Sequence, residues 1–155
     1  MKLITDRTSF DVDRWRTLHD RGWALMSESE RTEWLGEMKG RYGHTDMNRV
    51  ESAVATLSQR LRELGRYHSS LVVKTNWTKE DIPTVEDMAR YFGNVDVLRS
   101  ASVIYPTTPI TPTVANKLNY SRANALEQIL FDIDEITANT RKSWCYAGDI
   151  FAGEV

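Results

Sequence analysis

Any chemistry in this chain would have to come from a few side chains, so their spacing is the first thing to weigh. His19, His44 and His68 are scattered, with no two placed to share a helical face as metal ligands, and Cys145 is the lone cysteine. No structural zinc site is expected from such a set. A single cysteine also excludes an internal disulfide, so stability must come from packing. Cys145 could act as a nucleophile if a histidine approached it in the fold, but no nucleophile signature surrounds it and a lone buried thiol is the plainer reading. Asp132, Asp134 and Glu135 could serve acid–base work or a metal, but the solvated side of a helix whose other side is apolar is the strongly favoured reading. Gly40, Gly43 and Gly65 lack the lysine and hydroxyl residue of a phosphate loop. Arg60, Arg62 and Arg66 are locally basic, as a helix C-terminus favours, and Glu63 lies among them. Asn76-Trp77-Thr78 and Asn119-Tyr120-Ser121 match a glycosylation acceptor and, with no signal peptide, read as chance matches. The expectation is no catalytic residue, no cofactor, no metal ligand and no enzyme.

The tryptophans are the other conspicuous set. Trp15, Trp23, Trp34, Trp77 and Trp144 are spread over every segment. Packing between short helices explains them, and the sharper alternative is an assembly interface, where aromatic residues are enriched. Trp144, Tyr146, Ile150, Phe151 and Val155 are the candidate partner interface, because they follow the last core helix. A second alternative is recognition of a peptide or cell-wall carbohydrate through exposed tryptophans.

The elements that position these residues are mostly helical. Met47, Val50, Val54, Leu57, Leu61 and Leu64 alternate at spacings of three and four, which predicts a helix over residues 45–64, with Thr45 and Asp46 at its start and Gly65 closing its end. Its residues Arg49, Glu51, Arg60 and Arg62 are expected to face water. Leu126, Ile129, Leu130, Ile133 and Ile136 form a second, more apolar stripe, predicting a helix over residues 121–141. Thr8 with Asp11 opens an earlier helix that Gly22 stops, with Phe10, Trp15 and Leu18 as its buried side. Ser27 and Glu30 make a capping box for another, running to about Met38. Both are short and should lean on the 45–64 helix, with a reversal at 39–44. Thr84 and Asp87 start a further helix with Val85, Met88, Phe92, Val95 and Leu98 on one face, weakened at Gly93-Asn94. Leu71–Thr75 is β-branched and extended, suited to pairing with the C-terminal tail. Pro106, Pro109 and Pro112 make 105–120 an extended surface connection. The fold class is therefore all-α: a small bundle of about five helices with one or two short extended segments. Residues 1–143 form one helical domain and 144–155 an extended tail.

Composition limits the function classes. The 155 residues are 41% hydrophobic and 27% charged, with a formal net charge of −2 and a pI near 5.9. That balance gives no overall basic excess for nucleic acid, and no apolar run is long enough to cross a bilayer. Residues 1–6 lack the apolar core of a signal peptide, so synthesis inside the cell, or origin as part of a longer protein, is expected.

Several phrases carry a resemblance. Thr5-Asp6-Arg7-Thr8, Gly22-Trp23, Glu33-Trp34-Leu35, Met38-Lys39-Gly40 and Asn48-Arg49-Val50-Glu51 in the first half are followed by Lys74-Thr75-Asn76-Trp77-Thr78 and Glu80-Asp81-Ile82-Pro83-Thr84. Pro106-Thr107-Thr108-Pro109 and the ending from Trp144 to Val155 complete them. In order and spacing they resemble a module of minor structural proteins in phages and prophages of Gram-positive gut bacteria. The resemblance implies a virion location, with synthesis in the bacterial host cytoplasm and a place in the tail or baseplate. The partners it implies are other virion or tail proteins and further copies of this chain; composition and hydropathy, as above, argue against nucleic acid or membrane as a partner.

Overall fold

The structure is a computed structural model that describes residues 1–36, 38–113 and 117–151, with side chains up to residue 143. Among the described residues there are five α-helices and no strand. The all-α expectation is met, and each helix shows why its sequence stops and starts there.

Helix α1 (Ser9–Arg21) begins at Thr8, whose hydroxyl accepts from the Asp11 N–H while the Asp11 carboxylate accepts from the Thr8 N–H at 2.8 Å. Gly22, at a φ of 74°, ends it. A 3-10 turn (Trp23–Leu25) leads to α2 (Glu28–Leu35), which carries the same reciprocal cap between Ser27 and Glu30. This helix ends at Gly36, short of the expected Met38. Helix α3 (His44–Glu63) begins slightly earlier than its stripe. Asp46 reaches back to the Gly43 N–H at 2.8 Å instead of capping from the front. At the far end the Arg66 N–H bonds to the Leu61 carbonyl and the Gly65 N–H to that of Arg62, with Gly65 at a φ of 72°. That is the paired closure a left-handed glycine permits. Helix α4 (Val85–Ala101) starts at the Thr84–Asp87 cap and passes through Gly93 without a break. Helix α5 (Tyr120–Phe151) is opened by Asn119, whose side chain accepts from the Arg122 N–H at 2.9 Å.

Helices α3, α4 and α5 pack on one another. Val50, Val54, Leu57 and Leu61 meet Tyr91, Phe92, Val95 and Leu98, together with Leu126, Ile129, Leu130 and Ile133. The two stripes read from sequence are thus the core, with Leu64 and Ile136 only half-buried at its margins. The short helices α1 and α2 pack chiefly on each other, not on α3. Trp15 and Trp34 stack with ring centroids 6.3 Å apart, and Arg14 pairs with Glu33 and Arg21 with Glu30. Leu18 is the fully buried residue of α1, while Phe10, expected inside, is 76% exposed.

Further expectations need correction. Leu71–Thr75 pairs with no strand; polar side chains from the bundle take its backbone groups. Glu51 accepts from the Lys74 N–H, Arg90 and Asn94 donate to the Val72 carbonyl, and Asn48 both accepts from the Trp77 N–H and donates to its carbonyl. Glu51 therefore does not face water: it is 1% exposed and stands 2.7 Å from Arg90 Nη2. The segment from Tyr105 to Thr111 is pinned rather than free, with buried Thr108 donating to buried Asp132 at 2.5 Å and Arg99 donating to the Pro109 carbonyl. Asp132 thereby leaves the solvated face assigned to it. Finally, α5 continues through residues 144–151, so this stretch is helical where an extended tail was expected; residues 152–155 lie outside the described residues.

Inside the bundle the Tyr42 and Tyr91 hydroxyls meet at 2.6 Å. Burial pushes both phenols above their ordinary value of 10.0. A raised folded-state value means that the folded chain holds these protons more tightly than the unfolded chain. The resulting stability is complete below pH 10 and is lost as pH rises past it. In an alkaline titration, part of the phenolate absorbance should be withheld until helical circular dichroism collapses. Complete tyrosine ionisation with the helices intact would contradict the buried pair.

Candidate functional site

The densest polar constellation lies where the N-terminal segment crosses α3 and α5. Arg7, Asp46 and Glu127 are 4%, 6% and 0% exposed. Arg7 Nη2 donates to Asp46 at 2.8 Å and to Glu127 at 2.7 Å, and its Nη1 donates to the Ile4 carbonyl. Arg49, one turn from Asp46, bonds to both carboxylates. Burial disfavours the Arg49 charge, yet its hydrogen bonds to Glu127 and Asp46 outweigh that and raise its pKa. The Ile4 N–H fills the remaining Glu127 direction at 2.6 Å, and Asn124 holds both backbone groups of Arg7. Two cations and two anions balance, and each carboxylate oxygen of Glu127 has two donors. Such a cluster acts as a clamp, locking residues 4–8 onto the bundle.

Beside the clamp, α1, residues 39–42 and the first turn of α5 enclose a cleft of about 610 Å³. Trp15, Tyr42 and Tyr120 are among its walls, as are the cations Arg16, Lys39 and Arg41. Lys39 pairs with Asp6 at 2.5 Å, and Arg16 with Asp13 at 3.5 Å. Gly40 lets this cleft exist. A Cβ there would stand 2.0 Å from the Asp11 carbonyl oxygen, so only glycine lets the 39–42 stretch lie against the α1 backbone. Gly40→Ala should cost about 1–3 kcal/mol and speed amide exchange in α1 more than in α3. Unchanged exchange in α1 would show that the contact carries no such weight.

The residues singled out from sequence are dispersed. His19 lies against Trp15 with centroids 5.1 Å apart, His68 Nε2 is 3.2 Å from the Ser58 hydroxyl, and His44 is in the first turn of α3. Asp134 pairs with Arg60. Among the described residues no group of three histidines, cysteines or acids is placed to hold a metal, and no helix is long and apolar enough to cross a membrane. Of the candidate interface, Trp144, Tyr146, Ile150 and Phe151 have helical backbone, but their side chains lie outside the described residues, as do that of Cys145 and the whole of Val155.

The clamp residues Arg7 and Glu127 were not among the candidates, although a signal was present. Glu127 falls four residues after Ala123 and three before Leu130, and Glu51 four after Met47 and three before Val54, so each acid sits on its helix's apolar stripe. An acid in that position must find a donor inside the fold. Comparison with protein-family models, with curated proteins and with solved structures finds no match for this chain.

Proposed function

We propose that this chain is a non-enzymatic structural or adaptor component of a phage particle, associated with the tail or baseplate. It acts through protein–protein contacts and is present in several copies. The phage setting rests on the resemblance of the sequence phrases. The contact mode rests on one observation: an apolar groove of about 370 Å³ whose lining includes Met47, Val85, Met88, Phe92 and Leu118. Val85 is 68% exposed beside it, and Ile82, next to the lining Pro83, is 88% exposed. Large apolar side chains exposed around a groove are what a contact surface offers.

Two measurements test the reading. Mass spectrometry of purified particles from a host encoding this chain should detect it, and its absence would remove the phage assignment. Light scattering at rising concentration should show association that weakens in Val85→Glu and on deletion of residues 145–155. A strict monomer, indifferent to both changes, would overturn the contact mode. The alternative, a binding module for a peptide or cell-wall carbohydrate working through tryptophans, has less support. Trp77 is 4% exposed, Trp15 and Trp34 stack on each other, and among described side chains Trp23 is the largely exposed indole. An indole spectrum unchanged by cell-wall fragments would dispose of it.

A further inference from the structure

The cleft between α1 and the start of α5 carries features that neither the clamp nor an assembly role requires. We propose that it binds an organic anion: a carboxylate or phosphate carried on a flat apolar body. Two unpartnered donors on lining residues are the first reason. Arg7 is 96% buried and its Nε–H finds no acceptor among the described residues; the indole N–H of Trp15 is likewise buried and without one. A buried N–H lacking an acceptor is costly, and an anionic oxygen is the partner that compensates such donors best.

Charge is the second reason. Of the lining cations Arg7, Arg16, Lys39 and Arg41, the first three are already paired, with Asp46 and Glu127, with Asp13 and with Asp6, so the unneutralised charge on this wall is that of Arg41. Arg41 is exposed and has no ion-pair partner among the described residues. Helix α5 adds the positive end of its backbone dipole, since Asn119, Tyr120 and Ala123 belong to the same wall. Shape is the third. The flat rings of Trp15, Tyr42 and Tyr120 line a volume in the range of small-molecule sites, which suits a planar body more than a bare ion. The location agrees with this. One wall belongs to the α1–α2 hairpin and the other to the bundle, so a bound anion would tie the two together.

The test uses the full chain at low ionic strength. Phenyl phosphate and benzoate are titrated separately, with inorganic phosphate and benzyl alcohol as controls, following tryptophan fluorescence and calorimetric heat. At least one aryl anion should bind saturably at one site, at least about ten-fold more tightly than either control. The preferred aryl anion identifies the oxyanion, and either preference supports the proposal. Arg41→Ala and Trp15→Phe should each weaken binding about ten-fold, the latter because it removes the indole N–H while keeping a flat ring. Arg41 is exposed, so Arg41→Ala should keep the native circular dichroism and remains informative if Trp15→Phe perturbs the hairpin. Absence of saturable binding by both aryl anions, or binding indifferent to Arg41→Ala, would overturn the proposal. Neither outcome bears on the particle assignment, which particle composition tests separately.

Discussion

Replacing Glu127 with leucine should lower the unfolding free energy by about 3–5 kcal/mol, the usual cost of removing one partner from a buried ion pair. Leucine matches glutamate roughly in size and propagates a helix as well, so neither a cavity nor propensity accounts for the loss. The cost is electrostatic. Glu127 takes hydrogen bonds from Arg7, Arg49 and the Ile4 N–H. Without it, two cations at the clamp share Asp46 alone, and the Ile4 N–H loses its acceptor. A double-mutant cycle isolates this. Adding Arg7→Met to Glu127→Leu restores charge balance, because Asp46 and Arg49 remain paired within α3. The double variant should therefore be more stable than the sum of the single losses by about 1–3 kcal/mol. Urea denaturation supplies all four values. A neutral Glu127→Leu, or strictly additive losses, would mean that the clamp contributes no coupled stability.

The clamp also marks where sequence reading stopped. Helices were legible because their signals are local: Thr8 with Asp11, Ser27 with Glu30 and Thr84 with Asp87 state their caps within four residues, and Gly22 and Gly65 state their stops. The core was legible because Val50 to Leu61 and Leu126 to Ile133 repeat at helical spacing. The polar interior depends instead on partners far along the chain. Arg7 meets Glu127 across 120 positions and Lys74 meets Glu51 across 23; the helical period can mark each acid as inward-facing but does not name its partner. Charge on a helix suggests a solvent-facing side chain, which holds for Arg62 and fails for Glu51 and Asp132. The Leu71–Thr75 reading failed for a related reason. Its β-branched residues do favour an extended chain, but Glu51, Arg90 and Asn94 supply the backbone partners a strand would otherwise need. The cleft was invisible for the same reason, since its walls come from residues 7–16, 39–42 and 118–123.

The second large effect concerns how deeply α5 is embedded along its length. Leu130→Ala should destabilise the chain by about 2–5 kcal/mol, whereas Ile136→Ala should cost visibly less. Leu126, Ile129, Leu130 and Ile133 have no exposed surface, and Leu130 sits among them, so truncation leaves a cavity that two neighbouring helices cannot easily close. Ile136 is half-buried, and from residue 138 to 143 the side chains are exposed apart from a half-buried Thr140. Length gives the reason. At about 1.5 Å per residue, the 32 residues of α5 span about 48 Å, while the 20 of α3 span about 30 Å. Among the described side chains of α5 the last buried position is Thr137, as expected of a helix longer than its partner by about a third of its length. Equal losses at Leu130 and Ile136, measured by urea denaturation of both variants, would show that the far part of α5 is covered as well. That outcome would show that the packing on α5 reaches past Ile133 to Ile136 with undiminished weight.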